Sequence, residues 1–219
     1  MPSIVQIALD QGVPRETVIY ILMYPVILTV IAAARQIIGI KAFGIYTPSI
    51  IAVAFLATSL KYGLAIFFVV LTVALGMRYA LKNTKLLYMS RTAIMLSVVA
   101  LSVLLFLVLG GSFRRTGLAN VSIFPLLIII TIVEKFVVVQ IERGFKTATY
   151  LALETMLLAT ACYFIVRFEP FQDLVMSFPP TVIIIVILNV VIGKWTGLRL
   201  SEYFRFRDVI NDVELPRKK

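Results

Sequence analysis

The chain has 219 residues, of which 61% are hydrophobic and 15% are charged, with a mean hydropathy of +1.01. Soluble domains average about half apolar and about a quarter charged residues, so this composition indicates a membrane-embedded protein rather than a soluble core. The net charge is +10. Because the basic residues lie between apolar runs, they predict membrane orientation rather than nucleic-acid binding.

Several kinds of chemistry lack the residues that they need. Histidine is absent and Cys162 is the single cysteine, which excludes an internal disulfide, a thiol–metal cluster and histidine-based triads within this sequence. The hydrolase, zinc-protease and nucleotide-binding patterns G-x-S-x-G, H-E-x-x-H and G-x-x-x-x-G-K-[ST] do not occur. We therefore predict a protein that is not an enzyme and that has no catalytic residue, metal or cofactor.

The first 16 residues lack the basic region of a signal peptide. Their apolar residues 4–9 predict a short surface helix that ends near Gly12 and Pro14, and a frayed terminus is the alternative. We expect residues 1–16 to be extracytoplasmic, 17–200 to form the membrane domain and 201–219 to form a polar cytoplasmic tail.

Seven apolar runs of near-spanning length fill the predicted membrane domain. They cover residues 17–34, 43–60, 63–81, 92–109, 118–139, 148–166 and 178–195. The linker 79–91 mixes apolar and basic side chains, which is typical of an interfacial amphipathic helix. The predicted fold is an all-α polytopic membrane protein with seven transmembrane segments.

The distribution of basic residues predicts the orientation of these segments. Sixteen of the 21 lysines and arginines follow odd-numbered runs, and five lie on the other side of the membrane. Loops rich in lysine and arginine stay in the cytoplasm. We expect a multi-pass protein of the cell inner (plasma) membrane, with its N-terminus outside and its C-terminus in the cytoplasm.

Helix-breaking residues lie in the first part of the second and the fifth runs. In the first case Thr47-Pro48 predicts a helix start, and a helix from Pro48 to Leu60 would have 13 residues. That is roughly 20 Å, too short to cross a bilayer alone. Runs 2–4 and 5–7 resemble two copies of a three-helix unit in opposite orientations, which is compatible with a 1+3+3 inverted repeat with interrupted helices.

Paired interrupted segments in two inverted halves point to a transporter-type binding site. The N-terminus of a half-helix attracts carboxylate or phosphate, so we predict a small anionic ligand at the two starts. The predicted ligand-binding residues are Gly44, Tyr46, Thr47, Pro48, Ser49, Asn120, Ser122 and Pro125. The alternative is that both prolines are first-turn residues of full-length tilted helices.

Polar residues inside the runs are further candidates. Glu154 in run 6 is an ionisable group at depth and is predicted to bind ligand, although it could instead bond to a structural neighbour. Asn189 in run 7 is also a ligand candidate, with a role between helices as the alternative. Residues predicted to be structural or to dock a partner are Arg35, Arg78, Arg91, Glu134, Lys135, Glu142 and Arg143. For the adjacent Glu134 and Lys135, an internal charge pair and a solvated helix end both fit.

A known family has similar motifs. The stretch RQIIGIKAFGIYTP at 35–48, Leu86-Leu87 with Arg91, Phe124-Pro125 with Glu134-Lys135, and Glu142-Arg143-Gly144 resemble the bacterial seven-transmembrane domain that is usually fused to an inactive transglutaminase-like domain. More remotely, the stretch from Gly44 to Pro48 is similar to the C subunit of poly-γ-glutamate capsule synthesis.

The resemblance implies seven transmembrane helices, an outward-facing N-terminal side and association with ATP-grasp ligases of the glutamate-ligating type. It brings no catalytic residues. Ser90 stands where the family pattern has proline. The transglutaminase-like domain is not in this sequence, so we expect any extracytoplasmic sensing to reside on another chain.

Two functions follow from these observations. The first is a non-enzymatic membrane protein that translocates or holds an anionic amino-acid or glutamyl-peptide product beside a ligase system. The second is a membrane receptor or scaffold whose basic loops dock a soluble partner, with nothing transported.

Overall fold

The computed structural model describes residues 4–81, 84, 87–112 and 123–194, and every regular element within them is helical. The α-helices are α1 (Ile4–Asp10), α2 (Arg15–Ala33), α3 (Tyr46–Thr58), α4 (Leu60–Leu81), α5 (Tyr88–Ser112), α6 (Ile123–Arg143), α7 (Phe145–Arg167), α8 (Glu169–Ser177) and α9 (Thr181–Gly193). A π-helical turn, Ala34–Ile38, extends α2.

All seven predicted membrane runs contain a helix, which confirms the all-α polytopic fold. Five of these helices are long and apolar enough to span a bilayer: α2 with its π-helical extension, α4, α5, α6 and α7. The other two runs hold shorter helices, α3 in the second run and α9 in the seventh. Helix α3 has 13 residues, and α8 and α9 form an apolar pair bent by 108°.

The N-terminal residues form the short helix that their apolar spacing predicts. Helix α1 ends at Asp10, and Gly12 follows with a φ of +86°. Glycine reaches such left-handed angles at little cost because it has no Cβ. Helix α2 then begins directly after Pro14 and carries Glu16 in its first turn, where a carboxylate favours the positive end of the helix dipole.

The predicted interfacial helix over 79–91 is wrong at both ends. Residues 79–81 belong to α4 and residues 88–91 belong to α5, while Thr84 and Leu87 between them are not helical. Both spanning helices continue beyond their apolar cores, because helix ends reach into the headgroup layer where polar side chains are tolerated.

Two compact units divide the chain: residues 1–41 with 165–219, and residues 42–164. In the first unit α2 packs against α8 and α9, burying Met23, Ile27 and Ile31. Asn189 of α9 donates from Nδ2 to Thr29 Oγ1 of α2 at 2.6 Å. Arg15 and Asp173 pair at 3.5 Å with exposed side chains, so this pair adds little stability.

In the second unit α3, α4, α5 and α6 pack against one another. Phe55, Phe67 and Phe136 fill its centre and are almost completely buried. A single residue, Ser59, joins α3 to α4. Gly63 then faces Phe55, and a Cβ built on Gly63 would lie 2.5 Å from Phe55 Cδ1. The closeness of α3 and α4 therefore depends on a position without a side chain.

Candidate functional site

The site begins with the irregular backbone that leads into α3. This pre-α3 segment, residues 42–45, contains two left-handed residues, Ala42 with φ +41° and Gly44 with φ +81°. A positive φ is unusual for alanine because its Cβ crowds the backbone, so surrounding contacts must hold the conformation. Ala42 and Phe43 are buried.

Two adjacent side chains of α7 supply those contacts. The amide of Ala42 donates to Glu154 Oε2 at 2.9 Å, and the amide of Phe43 donates to Thr155 Oγ1 at 2.9 Å. The Thr155 hydroxyl in turn donates to the carbonyl oxygen of Leu151 at 2.6 Å. Irregular backbone is tolerated at membrane depth only when its polar groups are satisfied, and these bonds meet that requirement.

The first turn of α3 holds the other predicted ligand residues of this region. Tyr46 is 74% exposed, whereas Pro48 and Ser49 are buried. Ser49 Oγ donates to the carbonyl oxygen of Tyr46 at 2.8 Å. Pro48 has no amide hydrogen, so the first-turn donors that an anion could meet are the amides of Tyr46 and Thr47.

The second predicted start differs from the first. Asn120 and Ser122 lie outside the described residues. Pro125 is buried in the first turn of α6, which has 21 residues and is about 31 Å long. The full-length alternative therefore fits α6, and the interrupted alternative fits α3. The two helices pack against each other within the second unit.

The different lengths of α3 and α6 also concern the predicted inverted repeat of runs 2–4 and 5–7. Its first copy would begin with the short helix α3, whereas its second copy begins with the full-length α6 and ends with the bent pair α8–α9. The interruptions thus occupy different positions of the two copies.

The remaining predicted residues are dispersed. Asn189 bonds to Thr29 and belongs to the other unit. Arg35 lies in the π-helical turn. Its Nη1 atom and the Nε atom of Arg91 are buried and have no hydrogen-bond partner among the described residues. The four predicted residues of α6, which are Glu134, Lys135, Glu142 and Arg143, are all exposed. The side chain of Arg78 lies outside the described part.

Several buried polar residues were not predicted from sequence, among them Thr58, which donates to the carbonyl oxygen of Ala54 at 2.9 Å. Thr155 is completely buried, and Thr92 of α5 and Gln140 of α6 are each 9% exposed. Thr92 Oγ1 and Gln140 Oε1 have no hydrogen-bond partner among the described residues. The signal for Thr92 and Gln140 was periodicity, because each continues the inward stripe of its helix at three- and four-residue spacing.

The described residues contain no cluster of three or more acidic, cysteine or histidine side chains placed to hold a metal ion. The site therefore offers backbone amides, hydroxyl groups and one carboxylate. Those groups can bind and orient a small polar solute, and they include no activated nucleophile.

These features define an integral, multi-pass, all-helical membrane protein with an interrupted span pinned by a neighbouring helix. Residues 3–210 match the model of a family described as seven transmembrane helices usually fused to an inactive transglutaminase. The chain belongs to that family, which confirms the predicted resemblance and extends it beyond residues 35–145. No curated protein and no solved structure matches this chain.

Proposed function

We propose that this protein is non-enzymatic and that it holds or translocates an anionic amino-acid or glutamyl-peptide product at the start of α3. The observation that carries the proposal is the interrupted span: a 13-residue helix preceded by left-handed backbone that Glu154 and Thr155 hold in place. Interrupted helices at membrane depth commonly border a cavity or substrate path.

The chemistry of the α3 start favours an anionic solute with further polar groups. The first-turn amides carry the positive end of the helix dipole, and Tyr46 places an exposed phenol beside them. The Glu154 carboxylate accepts from Ala42, so its negative charge is partly offset by that donor. A peptide product, which carries both carboxylates and donors, suits this mixture better than a simple inorganic anion.

Association with an ATP-grasp ligase rests on the family resemblance and on charge. Sixteen of the 21 basic residues lie on the side predicted to be cytoplasmic, where a soluble ligase would deliver its product. In this proposal the N-terminus is outside and the C-terminus is in the cytoplasm of the cell that makes the product.

Flux measurements test the proposal. Proteoliposomes containing the full chain would be loaded with radiolabelled glutamyl peptides, and efflux would be followed with and without an opposing gradient. Pro48→Ala, which alters the start of α3, is expected to reduce flux several-fold. The matched control is Pro125→Ala, because Pro125 occupies the first turn of a full-length helix and its replacement should leave flux unchanged. Equal loss in both variants would contradict a site at α3.

The second candidate is a receptor or scaffold, which the basic excess on one side favours. In that case the chain would show no flux of any glutamyl peptide, and a soluble ligase would co-purify with it at low ionic strength. The complex would dissociate as salt is raised, because screening weakens contacts between exposed charges.

A further inference from the structure

The exposed side of α6 has an ordered pattern of its own. Phe124, Leu127, Thr131, Glu134, Val138 and Ile141 follow one another at spacings of three and four residues along this side. We name these six residues the α6 seam. All are exposed except Val138, which is half-buried. The opposite side of α6, with Ile129, Ile132 and Phe136, is buried in its own unit.

Spacings that alternate between three and four residues have a known structural use. They keep one stripe of a helix facing a second helix as the two wind around each other. Long apolar side chains at Phe124, Leu127 and Ile141 also supply contact surface at both ends of the seam, where their exposed fractions are 74%, 51% and 56%.

Two charged residues interrupt this apolar seam in the middle of the span. Glu134 and Lys135 are the twelfth and thirteenth of the 21 residues of α6; if the span coincides with this helix, they lie near the centre of a layer about 30 Å thick. Both side chains are exposed, and neither forms an ion pair or a hydrogen bond with another described residue. Isolated charges at that depth are costly and normally pair or face a polar partner.

The two sequence alternatives for this pair do not account for its position. A solvated helix end does not apply, because eight residues of α6 follow Lys135. An internal pair between them is disfavoured because neighbouring residues on a helix point about 100° apart. The charges therefore require a partner that approaches α6 from outside the second unit.

We propose that the partner is a second copy of this chain, which packs its α6 seam against the first as a twofold-symmetric dimer within the membrane. Two copies inserted with the same orientation place their α6 helices parallel, with the axis along the membrane normal. Glu134 of one copy then meets Lys135 of the other, and the same contact recurs on the opposite side of the axis. A self-complementary patch of this kind is what a twofold interface requires.

The helix geometry supports this pairing. In a parallel two-helix pair a residue on the seam inserts among four residues of the facing helix. Lys135 follows the seam residue Glu134 directly and therefore flanks the seam at the same depth. Each carboxylate thus gains one ammonium group, and both copies neutralise their central charges together. Thr131, one turn away, provides a small side chain that lets the helices approach closely.

Cross-linking tests the contact while both charges stay in place. Cys162 is buried and is the single cysteine, so a Cys162→Ala background allows one new cysteine at a time. Thr131→Cys in that background should give a covalent dimer with a short bis-maleimide reagent in lipid bilayers. The control is Leu104→Cys on α5, an exposed apolar position that lies off the seam and should remain monomeric. Dimers at Leu104, or none at Thr131, would overturn the proposal.

Charge exchange tests why the dimer forms. Single-molecule photobleaching of the labelled full chain, at several protein-to-lipid ratios, would give its dissociation constant. Glu134→Lys and Lys135→Glu each place like charges together and should raise that constant about tenfold or more. The double exchange, Glu134→Lys with Lys135→Glu, keeps the composition of α6 and should restore dimerisation.

The outcomes separate this proposal from its competitors. A monomeric wild-type chain would overturn it and would assign the charges to a different membrane protein or to a water-filled path. A dimer that ignores both single reversals would also overturn it. Recovery in the double exchange would not be expected from altered insertion, since the double exchange carries both of the substitutions that weaken the dimer singly.

Discussion

At the scale of single residues, the segment before α3 depends on acceptors supplied by α7. The buried amides of Ala42 and Phe43 would be unsatisfied without Glu154 Oε2 and Thr155 Oγ1. A buried donor left without a partner costs about 1–3 kcal/mol, and no water in the bilayer core can replace the lost acceptor.

Removing the carboxylate of Glu154 should therefore destabilise the fold. We expect Glu154→Leu to lower the free energy of unfolding by about 1–3 kcal/mol, because the Ala42 amide loses its acceptor. Glu154→Gln is the matched control: its amide oxygen can still accept from Ala42, so the loss should be smaller. Unfolding in mixed detergent micelles, followed by circular dichroism, measures both. Equal losses would mean that the charge rather than the acceptor matters.

Two buried threonines differ in whether their hydroxyl group is hydrogen-bonded, so the same substitution can be compared at both. Thr155 accepts from Phe43 and donates to Leu151, whereas Thr92 Oγ1 has no partner among the described residues although it is buried. Replacing an unsatisfied hydroxyl by an isosteric methyl group is neutral or stabilising, and replacing a bonded one is costly.

We expect Thr155→Val to lower the thermal midpoint and Thr92→Val to leave it unchanged or raise it. The two variants differ from wild type by the same chemical change, so any general effect of a lost hydroxyl cancels. Thermal unfolding of the purified chain in one detergent gives the comparison. A drop for Thr92→Val as large as that for Thr155→Val would show that Thr92 has a partner in the membrane.

At the scale of elements, the contact between α3 and α4 depends on Gly63. A Cβ at this position would lie 2.5 Å from Phe55 Cδ1 and 2.9 Å from Thr58 Oγ1. Phe55 is completely buried and has little room to move, so the two helices would have to separate. Forcing extra atoms into a packed core typically costs about 1–3 kcal/mol.

Gly63→Ala should therefore reduce the free energy of unfolding by about 1–3 kcal/mol. Gly76 on the same helix is the control, because nothing lies within 4 Å of a Cβ there. Alanine favours helix over glycine by about 1 kcal/mol, so Gly76→Ala should be neutral or stabilising. Chemical unfolding of the three proteins side by side would check the opposite signs. A stabilised Gly63→Ala would contradict the close packing of α3 on α4.

The element scale also shows what sequence could and could not predict. The seven helices were predictable because hydropathy over a window of residues is a local property. The role of Gly63 was not predictable, because its place within α4 against Phe55 depends on the packing of two helices. Contacts between elements depend on which faces meet, and the local hydropathy pattern does not indicate that.

At the scale of the whole molecule, the two predicted helix starts belong to helices of different length. The motif at α3 was correctly associated with a short helix, but the similar motif at α6 begins a span of 21 residues. Both contain a proline near the first turn, which is compatible with either length. The difference lies in how far the apolar run continues, and the sequence left both alternatives open.

The bend of 108° between α8 and α9 follows from Pro179 and Pro180, which prevent one continuous helix.

The orientation of the molecule can be tested directly by cysteine labelling, because the chain has a single cysteine to replace. In a Cys162→Ala background, cysteine would be introduced at Gln11, between α1 and α2, or at Thr84, between α4 and α5; both positions are exposed. An impermeant maleimide should label Gln11→Cys in intact cells and Thr84→Cys only after permeabilisation, because the basic residues around Thr84 predict that this linker is cytoplasmic. The two positions are separated by α2, α3 and α4, an odd number of crossings, so their labelling must differ if α3 and its preceding segment together cross the bilayer. Labelling of both in intact cells would mean that α3 returns to the side from which it came, and the interrupted span would then be a re-entrant loop.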